Sequence, residues 1–394
     1  MEYRRIETCY GPEIRFKDWE AKAGRVKSAG GCLHIFGGPE ARVVRSDLPY
    51  GGGGDVEVRL FFNVERLGKD GRITFHFNRQ HPNRRPNGYR VAFSADCLMV
   101  TEKTRQIIEK PHNLPLGRSD NIAVQFVTLG ERYALRINDA WVLSGRMEPP
   151  YTDNEGWMLI ETANADIRLQ SFKEDLIIAD KSIPKWRRTD LLYEESFSQE
   201  SLRDNWIVNT STPQSGIERL PRAFIFRHMC NGFLRQRFDS PVVVDCVATP
   251  VPTKDGSAGI SDAIFIWMID KPEGDFCAFL NERSERSDAG LGGLMPLPFY
   301  WVDFGGTNNV TTRMRKHPHR HLIRQFTDRP RLMARNRTYR ITCVQNGNFV
   351  EFWVDGNPMI QAFDEHPITS GHVGFRAYVA DLQVESLKVW RIAP

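Results

Sequence analysis

The sequence predicts an all-β protein built as two tandem β-sandwich, or jelly-roll, domains. Three observations predict it. Long stretches alternate apolar and polar residues with a period of two, clusters of Gly, Pro, Asn and Asp punctuate them, and the closing segment of the first half recurs near the end of the second. Alternation buries one face of a strand and wets the other. Many short strands separated by turns make a sandwich or jelly roll.

At 394 residues the chain is too long for one ordinary core and suits two domains of roughly 150 to 200 residues. In the first half the alternating runs are Val56, Val58, Leu60 and Phe62; Ile73, Phe75 and Phe77; Tyr89, Val91 and Phe93; and Tyr133, Leu135 and Ile137. In the second they are Ile264, Ile266 and Met268; Tyr339, Ile341 and Cys343; and Val350, Phe352 and Val354. Gly51 to Gly54, Asn87-Gly88 and Asp355-Gly356-Asn357-Pro358 supply turn chemistry. GWMLIETANADIRLQSF, from Gly156, matches GHVGFRAYVADLQVESL, from Gly371, at one constant offset that pairs Ala165-Asp166 with Ala380-Asp381 and Ser171 with Ser386. Each reads as a last pair of strands closing a sheet. Upstream of each lies a strand running into a turn, ALRINDAWVL and EFWVDGNPMI, and each half opens with a Trp, Trp19 or Trp206. A repeat of roughly 190 residues is a duplicated domain and not a solenoid. Ala179 to Arg188 is charged, carries Pro184 and lacks alternation, so it reads as the linker between domains at 1–180 and 181–394.

A net charge of +4 on 53 basic and 49 acidic side chains creates no global field for nucleic acid or an anionic membrane, so any basic site is local. No apolar run approaches a membrane span, and Met1 to Trp19 mixes Glu, Arg and Lys with single apolar positions, unlike a signal peptide. The seven cysteines, at 9, 32, 97, 230, 246, 277 and 343, form no C-x-x-C pair. Reduced thiols packed as small apolar residues, in a cytoplasmic protein, are the expectation.

One segment stands apart. Arg313, Arg315, Lys316, His317, His319, Arg320, His321 and Arg324 fall within twelve positions. If the run were extended, Arg313, Arg315, His317, His319 and His321 would project on one side, with Pro318 marking an edge or break. Such a face suits a uronic acid. Arginine forks match a carboxylate, and a neutral histidine can take a proton. Tyr300, Asp303 and the pair Asn308-Asn309 lie just upstream and could supply an acid, an orienting carboxylate and contacts to sugar hydroxyls. The plainer alternative is a solvated face or polyanion patch. No carboxylate is interleaved with the histidines, so no metal is expected.

No string of paired carboxylates of the kind a retaining sandwich glycosidase uses is present, and Glu282 and Glu285 in NERSERSDAG read as a solvated loop. In the first half, FHFNRQHPNRRPNGYR sets His76, Asn78, Arg79, His81, Arg84, Arg85 and Tyr89 around a hairpin-like loop, a solvated tip or else a sugar-binding or docking loop. Trp141, Trp157, Trp267, Trp301 and Trp353 are expected mostly in the core, with stacking on pyranose faces as the alternative.

The order of elements and the closing pattern resemble the concanavalin-like, laminin-G-like sandwiches of carbohydrate-active proteins. From about residue 260 onward, FYWVDFGGTNNVTTRMRKHPHRHLI followed by YRITCVQNGNFVEFWVDG resembles the YesU-like family of bacterial proteins of unassigned function. There an aromatic strand leads to Thr-x-Arg-x-Arg-Lys, a His and a Tyr-Arg-Ile strand, matched here by Thr311 or Thr312, Arg313, Arg315, Lys316, and His319 or His321. The sequence departs in its histidine-rich HPHRH and in lacking the family's aromatic-basic strand before Asn308. The resemblance implies a part in bacterial plant-polysaccharide utilisation, on a fold that hosts hydrolases, lyases and binders alike. The expectation is lyase-type elimination on uronate-containing oligosaccharides. Arg313, Arg315, Lys316, Asp303, Asn308, Asn309 and Arg324 would hold the substrate, and His317, His319, His321 or Tyr300 would move the proton. A non-catalytic glycan binder and a glycoside hydrolase are the alternatives. No cofactor and no nucleic-acid or membrane partner is expected, and self-association is left open.

Overall fold

The computed structural model describes every residue except 1, 9–18, 39–40, 46–54, 80–87, 103–104, 113, 115–120, 147–156, 180, 213–214, 254–258, 327–330 and 394, and the side chains of all those described except 3–8, 19–23, 41–45, 78–79 and 157–158. The turn at Gly51 to Gly54, Asn87 of the second turn, and His81, Arg84 and Arg85 of the basic loop therefore lie outside the described residues. The chain divides into two compact units, Met1–Asp180 and Lys181–Pro394, each an antiparallel jelly-roll sandwich.

In the first unit two long strands, Val56–Arg79 and Trp157–Ala179, run antiparallel to one another. Residues Val56 to Phe62 pair on their other side with Ile122–Leu129, and Ile73 to Phe77 pair with Tyr89–Phe93. Phe62 and Phe75, thirteen residues apart on one strand, bring their ring centroids to 4.8 Å. A straight strand would hold them roughly 40 Å apart. The strand therefore curls over, and its two ends face each other across a core that includes Leu60, Phe62, Phe75, Val91 and Phe93. The bend needs glycine: a Cβ on Gly68 would sit 2.6 Å from the side-chain amide of Asn164, and one on Gly71 would sit 2.8 Å from the Gly68 carbonyl.

The second unit has two separate sheets. One runs, in spatial order, Gly216–Leu220, Ala223–Arg227, Asp381–Ala393, Val242–Val251, Tyr339–Asn346, Phe349–Val354 and Asn357–Phe363, with Arg187–Glu194 also paired to Asp381–Ala393. The other runs Trp206–Asn209, Asn231–Asp239, Ser370–Ala377, Ala263–Ile269, Phe299–Gly305, Thr311–His317 and His321–Phe326. Phe265 and Phe304 of the second sheet meet Phe352 and Tyr339 of the first, closing the core.

Three expectations need correction. The closing repeat is not a pair of neighbouring strands. In the first unit it is one long strand kinked at Asn164 (φ 49°), and in the second it is Ser370–Ala377 in one sheet followed by Asp381–Ala393 in the other. The stretch read as linker is shorter, because Trp186 packs edge-on against Trp353 at 5.9 Å and Arg188 binds Asp245 at 2.6 and 2.9 Å, all within the second unit. And Glu282 and Glu285 lie on a helix, Phe276–Glu285, although they are exposed as expected. Asp275 caps it by accepting the N–H groups of Cys277 and Ala278. Phe276, Leu280 and Arg283 form its buried stripe. The helix covers an apolar patch of Ile207, Phe233, Ile266, Phe299 and Trp301 on the outer face of the seven-stranded sheet. The described cysteines carry no disulfide.

Candidate functional site

Where that cover ends, the sheet presents a polar row. Successive ladders align Asn209, Asn231, Arg376, Ile264, Asp303, Arg313 and Gln325 directly across the seven strands. Directly paired residues share a face, so these side chains stand side by side. At one end the row is structural: Asn209 donates to Ser284 and to the Asp288 carbonyl, Asn231 donates to Asn209 and to the Ala289 carbonyl, and Arg376 donates to Asn231 and Ala289, each at 2.6 Å.

The other end is built differently. Arg313 is ion-paired with Asp303, and both are nearly buried. Gly306 lies directly on the Asp303 carboxylate, where a Cβ would collide with it. Asp262, just before the strand Ala263–Ile269, lies close enough to Asp303 to feel its charge. Two carboxyls so placed cannot both ionise cheaply. Burial, and then the charge on Asp303, push Asp262 up to about 7, while Arg313 pulls the other way.

Ser261 joins the surrounding loops: its hydroxyl meets the Asp262 carboxylate, it accepts the Asn308 N–H at 3.0 Å, and its carbonyl accepts the Ala380 N–H at 3.0 Å. Thr307, Asn308 and Asn309 are all left-handed, with φ of 54°, 61° and 59°. Such a run of residues with side chains is costly and marks a segment held in place by its surroundings. Tyr378 is 45% exposed, with the Arg376 guanidinium 5.4 Å from its ring centroid. Half-buried Asp262 and exposed Asn308 and Tyr378 thus gather at one end of the sheet, above a floor of Asp303, Arg313 and Arg376.

The basic run is divided between environments. Arg313, Arg315 and His317 do share the outer face, opposite Asp303, Trp301 and Phe299. The run then turns, with His319 and Arg320 both at positive φ, so His319 is exposed at the turn and His321 pairs with Lys316 on the opposite face. The expected single-sided array of five therefore does not form. His317 is stacked flat on Phe299 at 4.2 Å, beside the Met295 carbonyl, and burial lowers it to about 3. His321 is also buried, which lowers it to about 4. Tyr300 and Lys316 face the other sheet, where both bind Asp364, and burial followed by that carboxylate raises the Tyr300 hydroxyl well above its ordinary range. Arg315 and Arg324 have no exposed surface. Asn309 is spent on a clamp, donating to the Met333 carbonyl at 2.9 Å and accepting the Met333 N–H at 3.0 Å. Of the residues singled out from sequence, Asp303, Arg313 and Asn308 come together here.

Asp262, Arg376 and Tyr378 were missed. Arg376 had a signal, a lone cation in the apolar strand GHVGFRAY. Asp262 had only a polar pair before an apolar run.

In the first unit, His76 lies 2.9 Å from Glu161. Trp267 and Trp301 are core residues, and Trp157's side chain lies outside those described. Trp141, expected inside, is 56% exposed. Among the described residues no group of three or more His, Cys, Asp and Glu could hold a metal ion, and no helix is long and apolar enough to cross a membrane.

A domain family of unknown function, DUF6250, matches residues 230–387, inside the second unit. No curated protein matches. Solved structures with similar folds include a Bacillus subtilis protein of unknown function with a galectin-like fold (14% identity, 53% of this chain and 99% of that one, TM-score 0.42). They also include the endo-β-1,3-glucanase of Pyrococcus furiosus (11% identity, 54% and 99%, TM-score 0.37) and carbohydrate-binding module CBM66 of Bacillus subtilis (13% identity, 40% and 95%, TM-score 0.34).

Proposed function

We propose that the chain is a carbohydrate-binding protein whose second unit holds a sugar with Asp262, Asn308 and Tyr378. The observation that carries this reading is their convergence around Ser261: an exposed aromatic ring, an exposed amide and a half-buried carboxyl at one sheet end. A pyranose offers an apolar face of C–H groups and a rim of hydroxyls. A ring takes the first and paired polar groups take the second. A carboxyl that keeps its proton near neutral pH both donates and accepts. The YesU-like resemblance of the Arg313–Lys316 segment is in keeping with a carbohydrate role for this unit.

The sugar is proposed to be uncharged. Arg313 already has Asp303 as its counter-ion, and Arg376 serves Asn231 and Ala289. Uronate elimination requires a base and a carboxylate-binding arginine at one accessible place. His317 and His321 are buried on opposite faces, and Arg315 and Arg324 are enclosed.

Calorimetric titration of the intact chain with neutral and uronate oligosaccharides of matched length tests the reading. A neutral ligand is expected, with Asp262→Asn and Tyr378→Ala each weakening it about tenfold, equivalent to about 1.4 kcal/mol. Unchanged affinity in both variants, or release of unsaturated uronate product, would overturn it.

A further inference from the structure

The first unit carries a surface that the site above does not use. On its outer face, ladders align Lys173, Arg59, Gln125, Arg136 and Trp141 in one row across five strands. Trp141 is 56% exposed, and Phe61, on Arg59's face one row along, is 42% exposed. The Arg136 guanidinium lies 5.3 Å from the Trp141 ring centroid, which steadies the indole while leaving its surface open.

The equivalent row in the second unit is Lys388, Asp245, Thr342, Trp353 and Pro358. There the chain covers its own aromatic: Trp186 packs on Trp353, and Arg188 lies on Asp245. In the first unit Arg136 is the stacking partner of Trp141 among the described residues.

We infer that this row is a second carbohydrate platform, taking an uncharged polysaccharide chain laid across the strands. Neighbouring strands lie ~4.8 Å apart, close to the advance of one pyranose in an extended chain, so successive sugars would fall over successive strands. Trp141 and Phe61 supply stacking surfaces at separate points, and Gln125 and the cations between them supply hydrogen bonds to hydroxyls. The charges along the row are answered locally: Arg59 by Glu57 and Asp175, Lys173 by Asp175, and Arg136 by Asp139. An anionic chain would find no uncompensated cation in this set.

Native electrophoresis of the full chain through gels containing laminarin, xyloglucan or galactomannan is the test. At least one polymer should retard the Asp262→Asn/Tyr378→Ala double variant, in which the second-unit site is disabled, and adding Trp141→Ala should weaken that apparent affinity about tenfold or more. Trp141→Phe should restore part of it. The inference is overturned by no retardation in any of the three gels, by retardation that the double variant already lacks, or by retardation that Trp141→Ala leaves unchanged. It is also overturned if Trp141→Ala converts a dimer to a monomer in sedimentation, which would make the row a self-association edge. Failure of the second-unit site alone would show instead as a double variant that binds as tightly as the parent.

Discussion

The two units share a corner and differ in what they build beside it. The repeated Ala-Asp dipeptide places Asp166 and Asp381 where the chain passes its bend, and each carboxylate binds an arginine and a backbone N–H: Arg66 and Gly37 for Asp166, Arg227 and His228 for Asp381. One strand along, the ladders diverge. The row Arg376, Ile264, Asp303 and Arg313 of the second unit corresponds to Glu161, Thr74, Ala92 and Met99 in the first. A fold device has been kept in both copies, and the Asp303–Arg313 pair stands on the second, where the first has Ala92 and Met99. This is the pattern expected when function is placed on a scaffold and not dictated by it.

The corner comparison breaks if the two aspartates matter equally. Asp381 is 1% exposed and its Arg227 partner is largely covered, whereas the Arg66 side chain is half exposed. Removing one partner of a buried pair strands the other and costs about 3 kcal/mol or more. Asp381→Ala should therefore lower the second unit's melting transition by roughly 6–12 °C, at 2–4 °C per kcal/mol for a domain of this size. Asp166→Ala should shift the first unit's transition far less, since solvent screens that pair. Scanning calorimetry of the intact chain reads both, and equal shifts would show that exposure does not set the strength of the corner.

A second difference is one of pH. His317 and His321 are held neutral in the folded second unit, at about 3 and 4, against about 6.5 when unfolded. Between those values the unfolded state binds more protons, so stability falls as pH is lowered, by about 1.4 kcal/mol per pH unit for each histidine. Asp262 acts with the opposite sign. Its folded value near 7 lies above the unfolded one near 4, so its contribution declines as pH rises through that window. His317→Phe should flatten the acid loss measured by urea midpoints between about pH 4.5 and 6.5, and Asp262→Asn should steepen it. A slope unmoved by His317→Phe would mean that this ring does not stay neutral and buried.

Much of this was legible in the sequence, down to particular side chains. The alternating runs at Ile264, Tyr339 and Val350 are strands, and the Asp-Gly turn after Val354 does reverse the chain. Asp303 and Arg313 were both singled out, and the hairpin that joins them sets them opposite one another. Parity also placed Lys316 on the face away from Arg313, and the ladder sets Tyr300 beside it, although chemical grouping had put all of them in one site. What no local pattern discloses is contact between strands distant in the chain. Arg376 reaches the cluster through a ladder joining residues more than a hundred positions apart, and Asp262 through one joining residues roughly forty apart. The helix Phe276–Glu285 was hidden because its apolar stripe is short and its other faces are charged.

The row itself can be moved. Ala92 and Met99 face each other across one ladder and are both partly exposed, so Ala92→Asp with Met99→Arg recreates the Asp303–Arg313 pair on the first unit. An opposed ion pair on a sheet surface contributes roughly 0.2–1 kcal/mol, so the first unit's melting transition should move by only about 1–4 °C. No second-unit type of binding should appear. Two residues before Thr74, where the second unit has Asp262 two before Ile264, stands Arg72, and Glu161 stands where Arg376 would be. Titration of this variant in an Asp262→Asn/Tyr378→Ala background, with the neutral oligosaccharide that the parent binds, measures this directly. Recovery of binding would mean that the ladder pair alone makes the site. Its absence, in a variant that melts like the parent, would assign the site to the left-handed turn Thr307–Asn309 and the Ser261 loop that close over the pair in the second unit.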